Sequence, residues 1–587
     1  MRTVGEIKTT IEAGLGKTPC DLKLINVNLV NVYSGEVYPT NIYIKGKRIV
    51  SIDPDAELQA VQEIDCQGRY ALPGLIDGHI HIETTLLSPE AVGEVIVPKG
   101  TTTVCIDPME IANVAGIEGM KAILASIKHL PFRTFIEIPS RVPTAPGLET
   151  TGGVLGVEEV KKVLEWSDSI SLGELDPSKI LFVREEYLEK VASTLQQRKI
   201  VNGHAIGRLG QELNVYASAG ISDDHECVNY EELLARIRLG MTVMVREGSS
   251  ERNVERLIKG VVENGLSTEN LIFCTDDKHA SDIMSEGHIN YNINKAIALG
   301  LDPIKAIQMA TINAAKHFRV EDEIGSITPG RKADILIVDD LKNITPIIVI
   351  FEGTVVAENG RLVTKRIKTH YPAKLKNTIS FARPITADSF VVRSENKDFT
   401  KVNVISIYPD QIINEWIHHV LPVEEGIVKN DVENDILKLA VVERYGKTSN
   451  IGIGFVKGFT LKDGALASSV SHDHHNIVCV GTNDEDMAVA VNALKEMQGG
   501  FVTVQKGKVT GKIQLPIGGL MSEKSAEEVI RENEAVNQAA RELGCSLPAP
   551  FMTLSFISLP TVPQLGLTDL GLIDVLNHKI IDLEVKS

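Results

Sequence analysis

From Ala71 onward, for about 250 residues, short apolar runs that favour β structure alternate with helical stretches of roughly 10 to 20 residues. The strand candidates are 74–81, 102–106, 134–138, 169–172, 199–202, 220–222, 242–245 and 271–275. Between them, stretches such as 185–198, 230–239 and 251–264 carry apolar residues at helical spacing, and 302–317 supplies a last helical piece. The first helix opens on Ser88-Pro89-Glu90, a capping residue followed by proline at the first helical position. Eight strands, each followed by a helical or loop stretch, imply an α/β chain whose centre, residues 71–320, is a parallel (β/α)8 TIM-type barrel. The competing open, doubly wound sheet lacks its Gly-x-Gly-x-x-Gly turn after the first strand.

Strand texture flanks this segment on both sides. Residues 21–64 within 1–70 hold Val- and Ile-rich runs, with a hairpin turn at Lys45-Gly46-Lys47. Residues 321–368 return to the same texture around Glu358-Asn359-Gly360. One small β unit built from both ends of the barrel segment is the simplest arrangement, because the termini of a compact domain often lie close together. Residues 369–587 read as a C-terminal α+β domain, with a hairpin at 501–505 and 508–515 and a long helix over 525–543.

Composition narrows the function classes. With 43% hydrophobic and 24% charged residues the chain is globular. Its net charge of −18 argues against a nucleic-acid partner. No apolar run approaches the roughly 18 residues needed to span a bilayer, and the N-terminus lacks the apolar core of a secretory signal. Seven scattered cysteines without a Cys-x-x-Cys pair look like reduced thiols, so a cytoplasmic location is expected.

His79-Ile80-His81 is the sharpest short signal. Residues i and i+2 of a strand share a face, so both imidazoles converge near the C-terminal end of the first barrel strand. Glu174, His204, His225 and Asp276 fall at or just past the ends of the fourth, fifth, sixth and eighth strands. Barrel enzymes build their sites on that rim. Taken singly, each histidine reads equally as a hydrogen-bonded interior residue and each carboxylate as a salt-bridged strand end. Taken together, six ligand-type residues on one mouth point to metal, since imidazole suits Zn, Fe or Ni and carboxylates bridge cations. Asp107 and Glu110 after strand two, and Arg246 and Glu247 after strand seven, are candidates for substrate binding. His472, His474 and His475 are candidates for a lid over the mouth or an extra cation site.

These residues resemble the amidohydrolase superfamily, whose pattern is His-x-His on strand one, a carboxylate or modified Lys on strand four, His on strands five and six, and Asp on strand eight. The run Asn313-Ala314-Ala315 and the segment from Gly325-Ser326-Ile327 to Ala333-Asp334 resemble the superfamily's return to its β unit. Within it, Asp107-Pro108-Met109-Glu110, Arg246-Glu247-Gly248-Ser249, Thr275-Asp276-Asp277-Lys278-His279, Ser471-His472-Asp473-His474-His475-Asn476 and Leu554-Ser555-Phe556 are similar to adenine deaminase segments. Met109 stands where that family has His, and His474 where it has Ser. Residues 169–177 contain no lysine, which favours the deaminase branch over hydantoinase-like and dihydroorotase-like relatives.

The resemblance implies a metal-dependent hydrolysis of adenine to hypoxanthine and ammonia, in purine salvage, by a homo-oligomer acting on a small purine base. It implies two divalent metal ions, Mn or Fe in preference to Zn. His79, His81 and Asp276 would hold one ion and His204 and His225 the other, with Glu174 bridging and Asp276 moving the proton. Displacing ammonia from an aromatic amidine needs a strong nucleophile at neutral pH, and divalent metals supply one by lowering the pKa of water to about 7. The rival readings are a cyclic amide or N-acyl hydrolase of the same superfamily, and a non-catalytic barrel scaffold.

Overall fold

A computed structural model describes residues 2–363, 369–408, 413–561 and 564–585; the expected boundary at 368 lies outside them. The chain begins, after a short capped helix, with β1 (Cys20–Asn31), β2 (Glu36–Lys45), β3 (Arg48–Ile52), β4 (Ala60–Asp65) and β5 (Tyr70–Pro73). Leu22 and Leu24 of β1 face inward at period two. A bulge then resets the register between Leu24 and Val27. Asn26, at φ 53°, takes the left-handed backbone there, a conformation asparagine tolerates.

The central segment supplies β6 (Leu75–Ile80), β7 (Thr101–Ile106), β8 (Arg133–Ile138), β9 (Ser169–Leu175), β10 (Ile200–Gly203), β11 (Asp223–Asp224), β12 (Thr242–Arg246) and β13 (Leu271–Cys274). They form a curled parallel sheet in two hydrogen-bonded pieces, β6 to β10 and β11 to β13. At one seam Asp276 N donates to His79 O at 2.9 Å, and at the other Ser222 N donates to Val201 O at 2.9 Å. The strands β6, β7 and β9 are buried at every position, as expected where helices cover a parallel sheet. Seven of the eight expected strands coincide with observed ones to within a few residues. The sixth lies further on, at Asp223–Asp224, because Gly220 at φ 102° is still turning out of the preceding helix. Helix Pro89–Ile96 starts at Pro89 as its sequence predicts, but the Ser88 hydroxyl makes no capping bond.

The chain returns through β14 (Ile335–Val338), β15 (Pro346–Phe351), β16 (Thr354–Glu358) and β17 (Arg361–Leu362). β14 pairs antiparallel with β5, so strands from both ends of the central segment form one nine-stranded sheet among the described residues. A second nine-stranded sheet, from Phe399–Ile407 to Lys508–Gln514, forms the C-terminal part. Helices Asp484–Met497 and Ala526–Glu542 pack on it. The second of these is fixed by a capping box, with Glu528 N on Ser525 Oγ at 3.3 Å and Ser525 N on Glu528 Oε2 at 3.1 Å. No helix of the described residues is long and apolar enough to cross a membrane.

A charge cluster clamps the first sheet under the central one, at the opposite end from the strand termini that carry His79 and Glu174. Arg133, at the start of β8, donates to Asp334 Oδ2 at 2.6 Å and to Glu352 Oε1 at 3.0 Å. Lys332 and Lys47 each reach a Glu352 oxygen at 2.5 Å. Burial pushes the Glu352 carboxyl up, but these three cations outweigh it and bring its pKa down to about 2. A carboxyl lowered in the fold stabilises fully above its unfolded pKa of roughly 4.3 and loses that contribution as pH falls through the folded value. Glu352→Gln should therefore lower stability by about 1–3 kcal/mol near pH 7, a range between exposed and buried pairs. Denaturant unfolding at pH 7 and pH 2.5 would check this: the deficit should shrink at the lower pH, and an equal deficit at both would contradict it.

Candidate metal centre

The strand ends bring chain-distant side chains onto one oxygen. Glu174, the penultimate residue of β9, places Oε1 at 3.2 Å from His79 Nε2 and 3.2 Å from His81 Nε2. The same oxygen lies 3.4 Å from His225 Nε2 and 4.0 Å from His204 Nδ1. Asp276 Oδ1 closes the group at 3.9 Å from His79 Nε2 and 3.7 Å from His81 Nε2. All six residues are thus gathered around one point, and all but the half-buried His204 are buried. Asp276 holds the left-handed backbone at φ 56° while its N–H bonds to His79 O. A non-glycine residue in that conformation at a functional site is strain held by its surroundings.

The hydrogen bonds behind the imidazoles test whether the group suits a cation. His79 Nδ1 donates to Glu137 Oε2 at 2.5 Å, and Asn202 Nδ2 donates to the other Glu137 oxygen at 3.0 Å. His81 Nδ1 donates to the main-chain oxygen of Asp107 at 2.9 Å. Both rings are therefore anchored through Nδ1 and turn Nε2 inward, the arrangement of metal-ligating histidines. The electrostatics agree. Burial opposes charge on His79 and His81, yet Glu137 acting on the first and Glu174 on the second carry their ionisation well above the usual range. Burial likewise opposes charge on Glu174 and Asp276, but Arg141 holds the first carboxyl, and Arg246 the second, below the usual range. A site whose buried carboxylates attract this much positive charge fits divalent cations. His79, His81, Glu174 and Asp276 form one group of potential ligands, and Glu174, His204 and His225 another.

Three charged neighbours escaped the sequence reading. Glu137 is the lone carboxylate in the apolar run Phe135-Ile136-Glu137-Ile138, a signal that was legible. Arg141, three residues past β8, pairs with Glu174 Oε2. Glu226, beside His225, lies 3.2 Å from that residue's Nε2 and 2.7 Å from Arg246 Nη1.

The substrate candidates separate. Arg246 reaches the centre, with Nη1 at 2.5 Å from Asp276 Oδ2. Glu247 is turned away: it pairs with Lys295 Nζ at 2.6 Å and accepts from Val254 N at 3.1 Å. Arg246 is the last residue of β12 and Glu247 the first beyond it, and their side chains leave in different directions. Asp107 lies beneath the centre, its carboxylate buried where a Cβ on Gly173 would sit 2.1 Å from Oδ2. Glu110 instead joins His472 and His475 from the C-terminal part, accepting from His472 Nδ1 at 3.0 Å and from His475 Nε2. Because His475 Nδ1 accepts from Ser471 N at 3.1 Å, its proton sits on Nε2, which leaves no lone pair there for an extra cation. His474 points into the interior, with Nδ1 accepting from Asn476 N at 2.9 Å.

A cavity of about 280 Å³ lies between the centre's rim and the C-terminal part. Its walls include Thr84, Thr85 and Asp277 on one side and His472, Phe551 and Phe556 on the other.

Comparison with known proteins covers the whole chain. A family model described as the amidohydrolase family matches residues 70–358, and one described as the adenine deaminase C-terminal domain matches residues 411–579. An adenine deaminase of Desulforamulus reducens is 56% identical over 584 residues, 100% of this chain and 99% of its own. An adenine deaminase of Clostridium botulinum is 38% identical over 585 residues, 99% of this chain and 98% of its own. One of Methanococcoides burtonii is 39% identical, covering 97% of each chain.

If Glu137 sets the His79 tautomer, Glu137→Gln should weaken metal retention by about 10- to 100-fold. Metal analysis of dialysed protein, with circular dichroism to verify the fold, measures it, and unchanged retention would count against that role.

Proposed function

Since the chain belongs to the adenine deaminase family of the metal-dependent amidohydrolases, we propose that the Glu174 centre is where it hydrolyses adenine to hypoxanthine and ammonia. The convergence of four imidazoles and two carboxylates on one rim carries this reading. We further infer that the curled parallel sheet is a closed (β/α)8 barrel, supported by the hydrogen bonds at both seams. We place the reaction in purine salvage in the cytosol, in keeping with a free base as substrate.

His79, His81 and Asp276 would hold one cation and His204 and His225 a second, with Glu174 shared between them. Two cations, Mn or Fe in preference to Zn, are the expectation carried by the family resemblance. Bound there, such cations supply Lewis acidity that brings the ionisation of water into the neutral range.

The protein's own groups do the rest. Water adds to C6 as the C6=N1 double bond opens and its electron pair passes to N1, and Asp276, on the rim, accepts the proton that water loses. The same carboxyl returns that proton to the exocyclic nitrogen, the bond from C6 to that nitrogen breaks as C6=N1 re-forms, and ammonia leaves the hydroxy tautomer of hypoxanthine. General acid–base transfer of this kind contributes about 10² to 10⁴ in rate. Arg246 and the surrounding imidazoles fix the Asp276 carboxylate for this task. Arg141 does the same for Glu174, whose main-chain oxygen is also held by Ser140 Oγ at 2.7 Å. The cavity beside Asp277 exceeds the volume of one purine base and supports a small aromatic substrate.

Ultraviolet-monitored turnover with Mn-, Fe- and Zn-loaded protein tests the reading: adenine should be converted, and hydantoin and dihydroorotate should not be opened. Ring opening without adenine turnover would favour the cyclic amide hydrolase. Asp276→Asn preserves a side chain that tolerates the left-handed backbone, so the fold should survive while kcat falls at least 100-fold. Near-normal kcat in that variant would sink the proton-transfer role.

A further inference from the structure

The Glu110 cluster has a direction. Ser471 N donates to His475 Nδ1, His475 Nε2 donates to one Glu110 oxygen, and His472 Nδ1 bonds the other at 3.0 Å. Both Glu110 oxygens are thus committed as acceptors, and His472 is pinned through one nitrogen. Its ring stacks on Phe556 at 4.6 Å between centroids and 16° between planes, and its N–H on the main chain donates to Ser555 O at 2.8 Å. Only Nδ1 of this ring is engaged among the described residues, so Nε2 carries no hydrogen bond, and His472 is part of the wall of the 280 Å³ cavity. Asp277, next to the proton-carrying Asp276, forms part of the same wall.

The charge state of this ring follows from its neighbours. Burial lowers the pKa of His472, but Glu110 above all, with Asp277 and Asp473, outweighs it and raises it to about 9. Burial likewise pushes the Glu110 carboxyl up, while His472 and His475 hold it well below the usual range. At neutral pH the free edge of His472 is therefore a charged N–H donor at the wall of a cavity lined by polar and apolar side chains alike.

We propose that His472 is a purine-recognition residue whose Nε2–H donates to a ring nitrogen of the bound base, aimed there by the Ser471–His475–Glu110 chain. The proposal rests on the adenine reading of the centre. Adenine offers in-plane lone pairs at N1, N3 and N7, and one charged donor fixed on the cavity wall selects for one of them. Replacing that nitrogen by C–H removes the acceptor and leaves a buried donor unpaired, the kind of mismatch that binding sites discriminate most sharply.

Inhibition constants of 1-, 3- and 7-deazaadenine against adenine turnover test it in the metal-loaded enzyme. In the unaltered protein one of the three should bind at least about tenfold more weakly than the KM of adenine would suggest, and the other two should not. His472→Ala should bring all three within about threefold of one another, with metal content unchanged. His472→Gln, which keeps an N–H donor of similar reach, should restore part of the discrimination. Discrimination that persists in His472→Ala would overturn the proposal, as would equal weakening of every ligand in both variants, the result expected of a purely structural residue. Failure of the unaltered protein to deaminate adenine would instead overturn the reading on which the proposal rests.

Discussion

One carboxylate oxygen, Glu174 Oε1, lies within 4.0 Å of four imidazole nitrogens contributed by β6, by the residue just past it and by the segments that follow β10 and β11. Such crowding of buried ligands is costly unless charge is compensated, and the architecture around it supplies the compensation. Arg141 and Arg246 neutralise the carboxylates from the side, while Glu137 and the Asp107 carbonyl anchor the imidazoles from behind. Small residues let the strands come close enough. A Cβ at Gly173 would collide with Asp107, and one at Gly203 would lie 2.1 Å from the main-chain oxygen of Asp223. The curl of the sheet and the chemistry of its rim are therefore aspects of one packing solution.

The strand-and-helix rhythm was legible because it rests on local periodicity, and the ligand set because it rests on residue type at strand ends. The long helix expected over 525–543 is observed at Ala526–Glu542, where Ser525 and Glu528 form a capping box. The sixth strand was misplaced because a two-residue strand, Asp223–Asp224, has too little length to show a period and is acidic rather than apolar. Position after the seventh strand makes both Arg246 and Glu247 substrate candidates, and it does not show that Glu247 turns to Lys295 while Arg246 turns to Asp276. Arg141 and Glu226 carry no spacing of their own, and only three-dimensional contact reveals them. Among the C-terminal histidines, His472 and His475 turn toward Glu110 and His474 turns away, a distinction set by backbone conformation that residue type alone does not encode.

The two halves of the chain meet in polar contacts as well as apolar ones. Thr144 Oγ1 donates to Asp473 Oδ2 at 2.6 Å, and Lys447 Nζ donates to Thr151 O at 2.7 Å. The first of these bonds ties the Ser471–Asn476 segment to the central part, and the cavity is walled by both halves. Asp277 and Thr84 wall it from one part and His472 and Phe556 from the other.

The pairing of β14 with β5 also has a consequence for how the protein is made. Pro73 and Ile335 are register partners, yet about 260 residues separate them in the chain. At a translation speed of roughly 5–20 residues per second, the edge of β5 waits between about 13 and 50 seconds for its neighbour to leave the ribosome. During that interval the N-terminal strands present an unpaired backbone edge, the kind of surface that recruits other nascent chains.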